Sequence, residues 1–181
     1  MFNDMFATKL DRINAVALNA LPLLARFTFA AVLLRYFWTS ALTKLERPLT
    51  PSFNAYAQIF PRKMEAAGYD ISGFGAFEWG VVMAGTYAEF LLPLLIVLGL
   101  ATRLAALGMI GFVLVQSLTD VIGHGLDMAT IGALFDRHSD ALIFDQRALW
   151  GMVLLTLVGL GGGWASLDRL IFNRLTNTET R

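Results

Sequence analysis

The chain has no cysteine among its 181 residues. Disulfides, thiolate metal sites, iron–sulfur clusters and thiol–disulfide exchange by the chain itself are therefore excluded. Histidine occurs twice, at His124 and His138, which are too few and too far apart to predict a metal site; both fall outside the long apolar stretches, which excludes a bis-histidine haem within a membrane. Charge is also sparse, at 15% of residues against about a quarter in ordinary soluble domains. The formal net charge is +0, which offers no basic surface for nucleic acid. A calcium-loop spacing, a phosphate-binding glycine loop after a strand and a recognisable catalytic motif are all missing.

Apolar length is what the chain has instead. It is 56% hydrophobic, with a mean hydropathy of +0.60. Crossing about 30 Å of hydrocarbon takes roughly 20 apolar residues in a helix. Four stretches meet that need, at about 23–43, 79–100, 104–122 and 146–164. The stretches around 89–99 and 143–163 carry no polar stripe at a 3.6-residue period, so they require apolar surroundings on every side. The expected fold is all-α, a single polytopic membrane domain built as a four-helix transmembrane bundle.

The connections differ in kind. Residues 101–103 form a tight turn, so the second and third helices make a hairpin. The segments 44–78 and 123–145 are long and structured. Thr50 and Pro51 predict a helix start, with Thr50 as cap, and Gly68 predicts a stop. In the second segment, Met128, Ile131, Leu134 and Phe135 recur at helical spacing and predict a lid packed over the bundle's end. Ahead of the first span, Phe2, Phe6, Leu10, Ile13 and Ala17 recur with charges between them. Residues 1–20 thus read as an amphipathic surface helix and not as a cleavable signal.

Charged groups at bilayer depth are costly and are functional candidates by default. Glu89 lies ten residues below Trp79, and Arg35 eight residues inside Thr43, which places both roughly 12–15 Å below one surface. Matching depth predicts an Arg35–Glu89 pair between the first two helices, with Gly80, Ala84 and Ala88 letting those helices approach closely. Thr28, Arg35 and Thr39 share one helix face; Gln116 and Asp120 share another, which His124 would continue. Glu89, Arg35, Gln116, Asp120, His124 and Thr39 are accordingly candidates for a ligand or proton site in the outer half of the bundle. The competing interpretations are architectural: the pair fixes helix register, Gln116 makes an interhelical hydrogen bond, and His124 is solvated. Arg26, near a boundary, is expected to snorkel to lipid phosphates.

Three segments resemble the DoxX family of small bacterial membrane proteins. LARFTFAAVLLRYFWTSALTKL resembles its first span, with Arg26 near the start and Lys44 at the end. YAEFLLPLLIVLGLATRLAAL carries the in-span Glu89 and the turn with Thr102 and Arg103, and GGGWASLDRLI carries Ser166, Leu167 and Asp168. The likeness covers nearly all of residues 23–171. The chain departs from the family in its two long loops and in Gly-Gly-Gly-Trp where Gly-Pro-Gly is common. The family takes its name from a relative of a thiosulfate:quinone oxidoreductase subunit. The resemblance therefore implies a four-helix membrane domain and a membrane subunit or accessory of a quinone-linked redox or stress-related system, with quinone as ligand and no covalently bound cofactor. A small-solute or proton carrier, and an anchor that docks a protein partner through the long loops, are the rival functions. The lipid bilayer is the certain partner, and a second copy of the chain an open one.

The positive-inside rule weighs short connections above long loops. It therefore places both termini and the 101–103 turn, with Arg12, Arg103, Arg169 and Arg174, on the cytoplasmic side of a bacterial cytoplasmic membrane. Trp38, Trp79 and Trp150 then mark the outer interface and Trp164 the inner one. Reporter fusions after Arg103 and after Arg174 should both read cytoplasmic, and fusions within 52–70 and 127–140 external; opposite readings for the first two would refute an even number of spans.

Overall fold

A computed structural model describes the backbone of residues 2–178 and the side chains of residues 11 and 14–174. Helix α1 (Phe2–Phe29) passes through a π-helical turn at Ala30–Leu34 into α2 (Arg35–Thr43). A two-stranded antiparallel ribbon follows, β1 (Leu45–Arg47) and β2 (Thr50–Pro51), then two short helices, α3 (Phe53–Ile59) and α4 (Pro61–Ala66). Helices α5 (Ala76–Leu98) and α6 (Thr102–Leu118) form the hairpin. The last elements are α7 (Met128–Ile131), α8 (Ala148–Leu160) and α9 (Leu167–Thr178). Further π-helical turns extend α6 over Thr119–Gly123 and precede α8 at Leu142–Arg147.

Among the described residues, four helical runs are long and apolar enough to cross a membrane: Asn14–Thr43, Ala76–Leu98, Thr102–Gly123 and Leu142–Leu160. In lipid only helices satisfy their backbone groups internally, which is why such runs form. The first begins nearer the N-terminus than its apolar count suggests, because α1 continues through Pro22 without a break. Phe2, Phe6, Leu10 and Ile13, on which the amphipathic-helix expectation rests, have side chains outside the described residues. The first and third spans each pack against the second and fourth, closing a ring. Its core stacks Phe29, Leu33 and Phe37 of the first span against Ile96, Met109, Val113, Leu154 and Leu157.

Two expectations for the connections are corrected. Thr50 and Pro51 are strand residues, and the cap of α3 lies two positions later, where Ser52 Oγ accepts from the Ala55 amide at 3.2 Å. Trp79 and Tyr87 draw the ribbon onto α5 by donating to the carbonyls of Leu49 and Pro48, so 50–51 are held extended. Between the flanking π-helical turns, residues 124–141 form one helical turn, capped by Asp127 and ended at Gly132, whose φ is +79°. Met128, Leu134 and Phe135 therefore stay exposed. The first loop is the one with a core of its own: Ala55, Tyr56 and Met64 bury against Val82 of α5, with Ile59, Phe60 and Phe74 beside them.

At the opposite end, which we call the turn end, Arg26 does not reach toward headgroups. Its guanidinium donates to four carbonyls: Ile96 and Val97 at the end of α5, and Gly162 and Ala165 beyond α8. Orphan carbonyls at a helix C-terminus carry partial negative charge, so a cation there is favourable. Asp168 does the converse for α6, accepting from the amides of Ala101 and Thr102 at 2.6 and 2.9 Å and from Thr102 Oγ1 at 2.7 Å. Gly99 is required where these groups meet: its φ is +69°, and a Cβ would lie 2.6 Å from Ser166 Cβ.

Burial acts to raise the Asp168 pKa, but the bonds from Thr102 and Ala101 and the nearby Arg26 outweigh it and hold the carboxyl below its ordinary value. With the folded value below the unfolded one, the carboxylate's contribution is complete at neutral pH and is lost as pH falls through the folded value. Asp168→Asn should lower stability by about 1–3 kcal/mol at neutral pH and should flatten the acid limb of the wild-type profile. Thermal melts in detergent between neutral and strongly acidic pH check both; an unchanged acid limb would remove Asp168 from the account.

Candidate functional site

At the loop end, Lys44 closes α2. Side chains on a helix lean toward its N-terminus, so Lys44 reaches back into the bundle and not out along the chain. Its ammonium lies 2.6 Å from Ser40 Oγ, one turn earlier, and 2.8 and 3.0 Å from the two carboxylate oxygens of Glu89. Ser40 Oγ is also 3.3 Å from Glu89 Oε1. Both charges are withdrawn from solvent, with Lys44 6% and Glu89 2% exposed.

The partner of Glu89 is therefore Lys44, and the Arg35–Glu89 pairing is wrong. Arg35 and Lys44 are nine residues apart, which at about 100° per residue puts them on opposite faces of one helix. Agreement in depth was insufficient because azimuth decides contact. Thr28, Arg35 and Thr39 do share a face, and all three are exposed on the bundle's outside. Nor does the small-residue ridge serve the first helix: Ala84 and Ala88 face a cavity, and a Cβ on Gly80 would meet nothing within 4 Å.

That cavity, of about 500 Å³, lies between the second and third spans under α3. Glu89, Lys44 and Ser40 form one part of its polar lining. Gln116, Asp120 and His124 line it from α6 and the π-helical turn that follows, while Arg35 and Thr39 do not reach it. Val81, Leu92, Phe112, Val115, Ile59, alanines and glycines make up the apolar remainder.

The polar residues differ in how far they are engaged. Gln116 bridges to the first span, its Nε2 3.3 Å from the Tyr36 hydroxyl. With the amide so oriented, Gln116 Oε1 is buried and has no partner among the described residues. Asp120 is held by Arg147, a buried residue of the turn leading into α8, which also donates to Ser117 Oγ at 2.8 Å. His124 stands at the loop end with Nε2 3.0 Å from the Gln58 carbonyl of α3. All three protons of Lys44 have acceptors, whereas the buried Gln116 Oε1 has no donor among the described residues.

Of the family-motif positions, Lys44 belongs to this site, Arg26 and Asp168 tie the turn end, and Arg103 is exposed there. Ser40 and Arg147 were not foreseen as participants. The Ser40–Lys44 spacing of one turn was a readable signal; Arg147 had none, because its partner lies 27 residues away across a loop. Among the described residues no group of three or more His, Asp or Glu side chains gathers where a metal could sit.

Removing one member of a buried pair leaves an uncompensated charge, at a cost of about 3–5 kcal/mol. Glu89→Ala should destabilise on that scale, the double change Lys44→Met with Glu89→Leu should recover most of the loss, and Arg35→Leu should not destabilise. Denaturation in mixed micelles measures the cycle; additive losses at 44 and 89 would mean that the two do not interact.

A family model described as DoxX matches residues 21–120, the region that holds Arg26, Lys44, Glu89, Arg103, Gln116 and Asp120. No curated protein and no solved structure shows significant similarity to the chain. The matched region takes in more than half of the sequence and the first three spans, and on that ground the chain belongs to the DoxX family.

Proposed function

We propose that this protein is a ligand-binding membrane subunit of a quinone-linked redox system in the bacterial cytoplasmic membrane, holding the hydroxylated head of a quinol-class lipid. The observation that carries this reading is the cavity of about 500 Å³ whose largely apolar lining includes Glu89 and Gln116, the latter with a buried amide oxygen that has no donor among the described residues. A pocket of that size accommodates a small ring, and a few fixed polar groups in an apolar lining orient it. The protons of Lys44 are already taken, which favours a ring that donates at this point: a quinol hydroxyl can give a hydrogen bond to Glu89, whereas a quinone carbonyl would compete with Glu89 for Lys44. Lys44 occupies one side of the Glu89 carboxyl group, and the remaining oxygen lone pairs are the acceptors on offer. Electron transfer belongs to a partner protein, since the chain has no motif for redox chemistry of its own.

The carrier reading draws on a different observation, the presence of Lys44–Glu89 and Arg147–Asp120 around one cavity. Exchange of protons between two ion pairs is a known use of intramembrane charge.

Extraction into native-lipid nanodiscs, followed by mass spectrometry of co-isolated lipids, separates the two. Quinol or quinone should be enriched over the bulk membrane, and Gln116→Leu should reduce that enrichment by roughly 5–10-fold, the worth of one hydrogen bond. Quinone content equal to the bulk membrane, together with proton flux that depends on Glu89, would favour the carrier and end the quinol reading.

A further inference from the structure

The cavity is not walled on every side. Seven of its lining residues are exposed: Gln58 and His124 at the loop end, and, along the spans, Val81 and Ala84 on α5 and Gly108, Gly111 and Val115 on α6. The five on the spans mark its lateral side. They belong to the two spans Ala76–Leu98 and Thr102–Gly123, and Ala84 and Gly111 lie well inside their ends. No other described element covers them. A surface at that depth on a transmembrane helix faces hydrocarbon. The opening is made by missing side chains: a Cβ on Gly111 would meet nothing within 4 Å, and the alanine opposite reaches no further than its methyl.

The loop end is built differently. There α3 lies across the bundle with its own buried cluster, and Ile59 projects to within 3.9 Å of where a Cβ on Gly85 would stand. His124 and the Gln58 carbonyl are joined at 3.0 Å across the same end.

From this contrast we infer that the cavity is loaded sideways from the bilayer, through a window between the second and third spans with Gly111 at its edge. The inference rests on the quinol reading only for the identity of the occupant. A lipid-soluble molecule enters head first, its polar group reaches Glu89 and Gln116, and its apolar tail stays in the window among Ala84, Gly108 and Val115. A tail left in lipid needs no further volume, which is why a cavity of about 500 Å³ suffices for a long molecule. Gly111 thereby sets specificity, since any side chain there narrows the passage between head site and bilayer.

Because the chain has no cysteine, a single introduced thiol is unambiguous. Gly111→Cys, Leu107→Cys on the exposed outer face of α6 and Met128→Cys in the exposed loop are each spin-labelled in bilayer nanodiscs, and collision rates with oxygen and with a water-soluble nickel chelate are compared. The label at 111 should behave like that at 107, dominated by oxygen, and unlike that at 128. Domination by the nickel chelate at 111 would show a water-filled cavity and overturn the window. In parallel, Gly111→Trp should lower the co-isolated quinol by ~10-fold while Leu107→Trp leaves it unchanged. Equal losses for both would attribute the effect to the bundle's surface and also overturn the proposal. Enriched quinol with nickel access at 111 sinks the window and spares the quinol reading; oxygen access without enrichment does the reverse.

Discussion

Arg26 ties three stretches of chain that are remote in sequence: the first span that carries it, the end of α5, and the turn beyond α8. Its role follows from the solvent. A helix that ends near hydrocarbon leaves carbonyls without water, and each such group is expensive to leave unpaired. One planar guanidinium can serve several of them in a fixed geometry, as no ammonium could. Asp168 answers the matching need for amides at the start of α6. With both ends of the 2–3 hairpin satisfied in this way, the relative height of the spans is set, and with it the level at which Glu89 meets Lys44.

The two ends of the bundle use buried charge for different purposes. At the turn end the ionic groups are spent on backbone atoms of the chain itself, and their geometry leaves little capacity for a ligand. At the loop end the pair is side chain to side chain, beside a cavity that Glu89 and Gln116 also line. Two residues that look alike in sequence, an arginine near the start of the first span and a lysine at its end, thus belong to separate tasks.

Small residues acquire a meaning in the structure that spacing does not convey. Gly80, Ala84 and Ala88 have the separation expected of a close helix contact, and Gly108 and Gly111 could be interpreted in the same way. In the fold Ala84, Ala88, Gly108 and Gly111 line the cavity instead, because the first span packs its large core residues, Phe29 and Phe37, along a different line. A small-residue ridge can bring helices together or hold a space between them; the neighbouring side chains decide which.

Much of the architecture was legible in the residues. Four runs of apolar length, a tight turn at 101–103 and the absence of any polar stripe follow from hydrocarbon thickness and from the need to satisfy the backbone, which act on composition directly. Depth along each helix was equally readable, since rise per residue is constant. Rotation about the helix axis was not. It is set by which large side chains interlock between spans, and so Lys44 and not Arg35 faces Glu89, Arg147 closes on Asp120 across a loop, and the exposed Met128, Leu134 and Phe135 leave the roof to α3. Sequence by itself determined that this protein spans a membrane four times with charge at a given depth; only tertiary packing, which fixes azimuth, decided which charges meet and that they meet beside a cavity.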